Sequence, residues 1–298
     1  MRETGNTCGI FMAGKKKKAG MKTAQPAQPV LDKRIPIALM LFSYANTTMV
    51  SLFLGAAFIA NGITVTENPA DISNSFSLFF YMLFAAVSML LIMKFYKGKL
   101  LFKLMELTFV FAAMTVLSSL FLGETDSVIF ASLAAIVRAL LPDKTSVLLY
   151  GSAAVVGGLL GASLDFVPAM VFAVALGVYD YIAVFKTKHI IELAQSLSRR
   201  DASFSIKAGP NDNAVELGLG YFVIGSTLSV SALKLGTFPD FGFGVAGALG
   251  SVFGLGTMFW YLEKRRGYFP AVPPIVLGSF FFISLYWLSR ALLSFLRF

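Results

Sequence analysis

The sequence is poor in charge and almost empty of cysteine and histidine. Asp, Glu, Lys and Arg make up 14% of its 298 residues, against about 25% in soluble domains. With 57% hydrophobic residues and a mean hydropathy of +0.75, that deficit excludes an ordinary soluble globular domain. Cys8 is the only cysteine, so no disulfide can form within the chain. One cysteine and one histidine cannot build an ordinary structural zinc site, and there is no His-Glu-x-x-His pattern, so neither metal nor other cofactor is expected. A serine protease working inside a membrane would need a histidine beside a serine such as Ser163, but His189 lies beyond its apolar run among lysines. That class is disfavoured.

What the sequence does have is long apolar runs, each near the roughly 20 residues that span a bilayer. They predict helices over 35–60, 76–93, 100–122, 127–141, 146–164, 167–185, 214–235, 241–262 and 270–296. The fold class is therefore all-α, a polytopic membrane bundle of about nine transmembrane helices. The net charge of +9 does not point to nucleic acid, because the positive residues sit in short connectors. Lys94, Lys97 and Lys99, then Arg138 and Lys144, then Lys186, Lys188, Arg199, Arg200 and Lys207, then Lys264, Arg265 and Arg266 mark one side. Glu67 and Asp71, Glu124 and Asp126, Asp165 and Asp240 mark the other, with Lys234 the main exception. The alternation predicts a multi-pass protein, of the cell membrane, with its N-terminus cytoplasmic and its C-terminus outside. Anionic lipid on the basic side would add attraction.

The chain divides into a basic, disordered cytoplasmic tail (1–34), six helices (35–185), a cytoplasmic connector (186–213) and three helices (214–298). The tail is a poor signal peptide, and Met21 offers an alternative start. In the connector, 190–197 is amphipathic and suited to a membrane surface. The spacings of Gly157 with Gly161 and Gly250 with Gly254 predict close helix packing.

Asp180 carries the functional hypothesis. It is the lone charge in the run 171–184, and an acid at membrane depth costs roughly 2.5–3.5 kcal/mol to insert. Tyr221, two turns into the seventh run, falls at a comparable depth, roughly 9–13 Å below the basic surface. Gly218 and Gly220, separated by Leu219, read most simply as packing glycines. Beside a buried acid they also suit exposed backbone to which an extended peptide can pair. Pro270-Ala271-Val272-Pro273 opens the last run and makes a rigid stretch of non-helical backbone.

At these places the sequence resembles the presenilin/signal-peptide-peptidase family of intramembrane aspartyl proteases, most of all its archaeal members. Tyr179-Asp180 matches the family's Tyr-Asp, and Pro270-Ala271-Val272-Pro273 its Pro-Ala-Leu-Pro with Val for Leu. Residues 178–189 and Glu67-Asn68-Pro69 are also similar to those members. The resemblance covers the chain from about Ile35 onward. It implies nine spans, transmembrane helical peptides in a lipid bilayer as substrates, catalysis by two aspartates, and substrate contacts at Tyr179, Gly218, Leu219, Gly220 and 270–273. It does not settle the oligomeric state.

The departure is Tyr221, which follows Gly218-Leu219-Gly220 where the family has its second catalytic aspartate; Gly225 stands where relatives tend to have proline. A phenol with a pKa near 10 cannot act as the missing base at neutral pH. Glu216 and Asp212 do not obviously replace it. Three readings stay open: a natural non-proteolytic member, a variant altered at its active site, or activity through another group. The rival from a different class is a proton-coupled transporter or channel using Asp180, against which stand the lack of an inverted repeat and the scarcity of buried charge.

Overall fold

A computed structural model describes residues 34–96, 98–142, 145–187, 205–208, 215–264 and 269–296. The basic tail up to residue 33, the amphipathic stretch 190–197, His189 and Asp212 lie outside the described residues.

Among the described residues the apolar runs form nine α-helices: α1 (Arg34–Ala60), α2 (Ser73–Phe95), α3 (Leu100–Ser118), α4 (Glu124–Leu140), α5 (Ser146–Ser163), α6 (Phe166–Ile182), α7 (Leu219–Ala232), α8 (Phe241–Lys264) and α9 (Val272–Phe295). Seven are long and apolar enough to cross a membrane; α4 and α7 are the shorter ones. The helices are apolar nearly all round, as expected where lipid replaces water outside the bundle. Accordingly, large apolar side chains such as Phe80, Phe84, Leu277 and Trp287 remain on the surface.

One expectation needs correcting. The seventh run does not begin as helix: Val215–Gly218 is a strand, β2, paired antiparallel with β1 (Ser205–Ala208), with Ser205 opposite Gly218 and Ala208 opposite Val215. The alternation Val-Glu-Leu-Gly explains it. Val215 and Leu217 turn inward and Glu216 and Gly218 do not, the period-2 pattern of a half-buried strand. Ile206, Ala208, Val215 and Leu217 then join Met40, Phe222, Phe259 and Ala271 in the core at the basic end of the bundle.

α7 is the central helix. It packs on α1, α5, α6, α8 and α9, and its face from Phe222 to Ala232 is almost wholly buried. Its contact with α5 is close because Gly157 and Gly161 have no side chains. A Cβ on Gly157 would strike Ser226, and one on Gly161 would lie 2.8 Å from the Thr227 carbonyl. α8 and α9 form the closest pair by the same device: the Gly278 and Pro274 carbonyls occupy the space that side chains at Gly250 and Gly254 would need. Both glycine seams expected from the sequence are thus helix interfaces.

At the acidic end, the α1–α2 connector is sewn to the α5–α6 corner. Val65 N–H donates to Ser163 Oγ at 2.8 Å, Thr66 Oγ1 donates to the Ser163 carbonyl, and Asp165 N–H donates to the Pro69 carbonyl at 2.9 Å. The Asp71 carboxylate accepts from Ser73 N–H at 2.8 Å at the start of α2, which holds its pKa below the usual carboxylate value.

Candidate active site

Three elements meet at Asp180. It sits two residues before the end of α6, just ahead of a wider helical turn over Ala183–Thr187. Such single turns of wider helix recur at functional sites. Asp180 is only 3% exposed, and both its oxygens are engaged. The Tyr221 hydroxyl, from the first turn of α7, donates to Oδ1 at 3.3 Å. Val272 N–H, from the start of α9, donates to Oδ2 at 3.1 Å.

The local sequence accounts for the second bond. The first N–H groups of any helix lack intrahelical acceptors. Pro273 and Pro274 have no N–H to offer, so Val272 supplies a free donor of the first turn, and Asp180 supplies the acceptor. The carboxylate also meets the positive end of the α9 dipole. Sequence reasoning places Val272 within a proline-framed wall but does not reach this bond. The paired prolines are the available signal.

The Tyr221 bond is the weaker tie. An O–H···O bond is usually 2.5–3.0 Å long, and this one is beyond that range. Hydrogen bonds to a charged group are each worth about 1.5–3 kcal/mol. The Val272 bond alone offsets part of a membrane-insertion cost of roughly 2.5–3.5 kcal/mol, and the long Tyr221 bond adds less. Among the described residues, the groups that donate to Asp180 are the Tyr221 phenol and the Val272 backbone N–H.

The other candidate residues are placed unequally. Gly220 is exposed, and none of the described residues lies within 4 Å of where its Cβ would be, so this flank of the first turn of α7 is open among the described residues. A Cβ on Gly218 would lie 3.5 Å from the Tyr221 ring. Tyr179 meets the Phe79 ring of α2 edge-on at 6.4 Å. Leu219 and Ala271 point into the core, 5% and 1% exposed, and Pro270 is buried; Pro273 stands against Gly177 of α6. Glu216 remains on the hairpin, accepting a hydrogen bond from Ser205 Oγ.

A second buried polar centre is not visible in the sequence. Arg138 of α4 and Glu106 of α3, 3% and 6% exposed, form an ion pair in which Nε and Nη2 both donate to Oε1 at 2.7 Å. Arg138 Nη1 also donates to the Pro142 carbonyl. The connector charge pattern treats Arg138 only as a surface charge, since partners 32 residues apart are not legible in the chain.

The fold and this centre define a multi-pass membrane protein built as a helical bundle around a buried carboxylate. A family profile described as signal-peptide peptidase, presenilin aspartyl protease matches residues 37–261, and the chain belongs to that family. Two solved structures, each titled as a presenilin family intramembrane aspartate protease, share the fold. One, in space group C222, is 21% identical, with TM-score 0.60, 85% of this chain covered and 98% of the other. The second, in space group P2, is 23% identical, with TM-score 0.59 and coverages of 87% and 97%. No curated protein shows a significant match.

Proposed function

We propose that this chain binds transmembrane helical peptides in a presenilin-type groove, and that Tyr221, standing where the second aspartate would act, leaves peptide-bond hydrolysis lost or strongly reduced. The observation that supports this reading is that the Tyr221 hydroxyl donates to Asp180 at 3.3 Å. Aspartyl hydrolysis needs two carboxylates that share one proton, so that one activates water while the other protonates the leaving group. A phenol beside a single acid can donate a hydrogen bond but cannot take a proton from water at neutral pH. The open flank at Gly220 fits an unwound substrate backbone approaching Asp180. The orientation proposed with it follows the charge alternation, with the basic end cytoplasmic.

The test is proteolysis of a single-pass transmembrane substrate by the purified protein in liposomes. The native chain and Tyr221→Phe are expected to give no product, and Tyr221→Asp to release product that Asp180→Ala abolishes. Cleavage by the native chain that disappears in Asp180→Ala would overturn the reading.

A further inference from the structure

α7 carries residue 221, and something must fix how deep it sits. On the side facing α1, the contact is Tyr44. Its ring is fully buried and packs on Phe222, the residue after Tyr221, with centroids 5.2 Å apart and planes tilted by 49°. Tyr150 of α5 meets the same Phe222 ring edge-on at 5.9 Å. The Tyr44 hydroxyl occupies the space in which a Cβ on Gly225 would lie, and its ring carbon Cζ is 2.9 Å from that point. Ser251 of α8 closes the other side, with its Cβ 3.4 Å away. Among the described residues the hydroxyl has no partner in full hydrogen-bonding geometry; Ser251 lies alongside as the side chain that interacts with it, while Ser251 Oγ donates to the Ala248 carbonyl at 2.7 Å.

A buried hydroxyl left without a well-formed hydrogen bond is unfavourable. Phenylalanine would fill most of the same volume without that cost, so hydrophobic packing does not explain the hydroxyl. What the hydroxyl adds is length: it extends the wedge to the α7 backbone at Gly225, one turn beyond Tyr221.

We propose that Tyr44 is a positioning residue, a wedge that seats against Gly225 and sets where residue 221 lies relative to Asp180. This deepens the functional reading above and rests on it only in taking the 180–221 pair as the site. Residues 44 and 225 then form one unit. A side chain at 225 displaces either Tyr44 or α7, and a shorter side chain at 44 gives the space back.

The test is a double-substitution cycle on the full chain in liposomes, with Tyr44→Leu, Gly225→Ala and both. Gly225→Ala is expected to lower the unfolding midpoint by roughly 3 °C or more with Tyr44 present, and by much less when introduced into Tyr44→Leu. A second measurement separates positioning from stability. In a chain carrying Cys8→Ser, Asp180→Cys and Tyr221→Cys, cross-linking by a short bifunctional maleimide should change several-fold on Gly225→Ala when Tyr44 is intact. It should return toward the starting rate when Tyr44→Leu is added, while a cysteine pair between α8 and α9 keeps its rate throughout. In the Tyr221→Asp background, cleavage should follow the cross-linking, since a displacement near 1 Å can cost about 10²-fold. Additive midpoints, or a 180–221 rate indifferent to residues 44 and 225, would overturn the proposal. If Gly225→Ala fails to accumulate, recovery of folded protein in Tyr44→Leu/Gly225→Ala supports the coupling, and failure to recover counts against it. Absence of cleavage in Tyr221→Asp would count against the functional reading alone, because the cross-linking is read without activity.

Discussion

At the scale of single residues, the buried charges among the described residues, Asp180, Glu106 and Arg138, each have partners. Asp180 is accepted because a helix start and a phenol both donate to it. Arg138 and Glu106 are accepted because each satisfies the other, with the Pro142 carbonyl taking a further donor. Such a pair is weak evidence for stability but costly to break, since removing one partner strands a buried charge at about 3–5 kcal/mol. Arg138→Met is therefore expected to destabilise the protein by an amount of that order. The double change Glu106→Leu/Arg138→Met should recover most of it, as chemical unfolding of both variants would check.

At the scale of elements, two glycine seams carry the close helix contacts. The backbone carbonyl of Pro274 stands where a Gly254 side chain would go, and it cannot rotate aside as a side-chain tip can. Gly254→Val should therefore separate α8 from α9. Overpacking usually costs about 1–3 kcal/mol, and the rigid neighbour puts this site at the upper end. Because α9 begins at Val272, the change should also disturb the bond to Asp180. Parallel measurement of unfolding and of cleavage in the Tyr221→Asp background would read both effects. These seams are legible as Gly-x-x-x-Gly spacings. The β1–β2 hairpin is less so, because counting apolar length merges a four-residue period-2 stretch with the helix that follows it.

At the scale of the whole molecule, Lys234 is informative. In the charge alternation it is the main exception, a lysine on the acidic side. The fold explains its presence there. Its ammonium donates to the Ala162 and Leu164 carbonyls at 2.7 and 3.0 Å and pairs with Asp165 at 3.1 Å. It thereby ties the end of α7 to the α5–α6 corner. Burial pushes its pKa below the usual lysine value, and the Asp165 carboxylate only partly opposes this. The unfolded chain therefore binds more protons than the folded one between the lowered value and the ordinary lysine value near 10.4. Stability is expected to gain a contribution as pH rises through that window. Lys234→Met should remove this pH-dependent increment. Unfolding midpoints of both proteins across the window would check it.

Composition and apolar run length determined that the chain is an all-helical membrane bundle. Both are local properties set by the cost of exposing polar backbone to lipid, and they can be summed along a sequence. Counting at 1.5 Å per residue leads to the expectation that Asp180 and Tyr221 face each other, but the strand Val215–Gly218 replaces the helical turns on which the count for Tyr221 rested. Only the tertiary structure decided which backbone N–H reaches Asp180, that Glu106 answers Arg138, that a hairpin precedes α7, and that Tyr44 fills the space beside Gly225. Those contacts join residues from 7 positions apart, in the hairpin, to 181 apart, at Tyr44 and Gly225. Their energies depend on distances of a few tenths of an ångström, which no periodicity in the chain encodes.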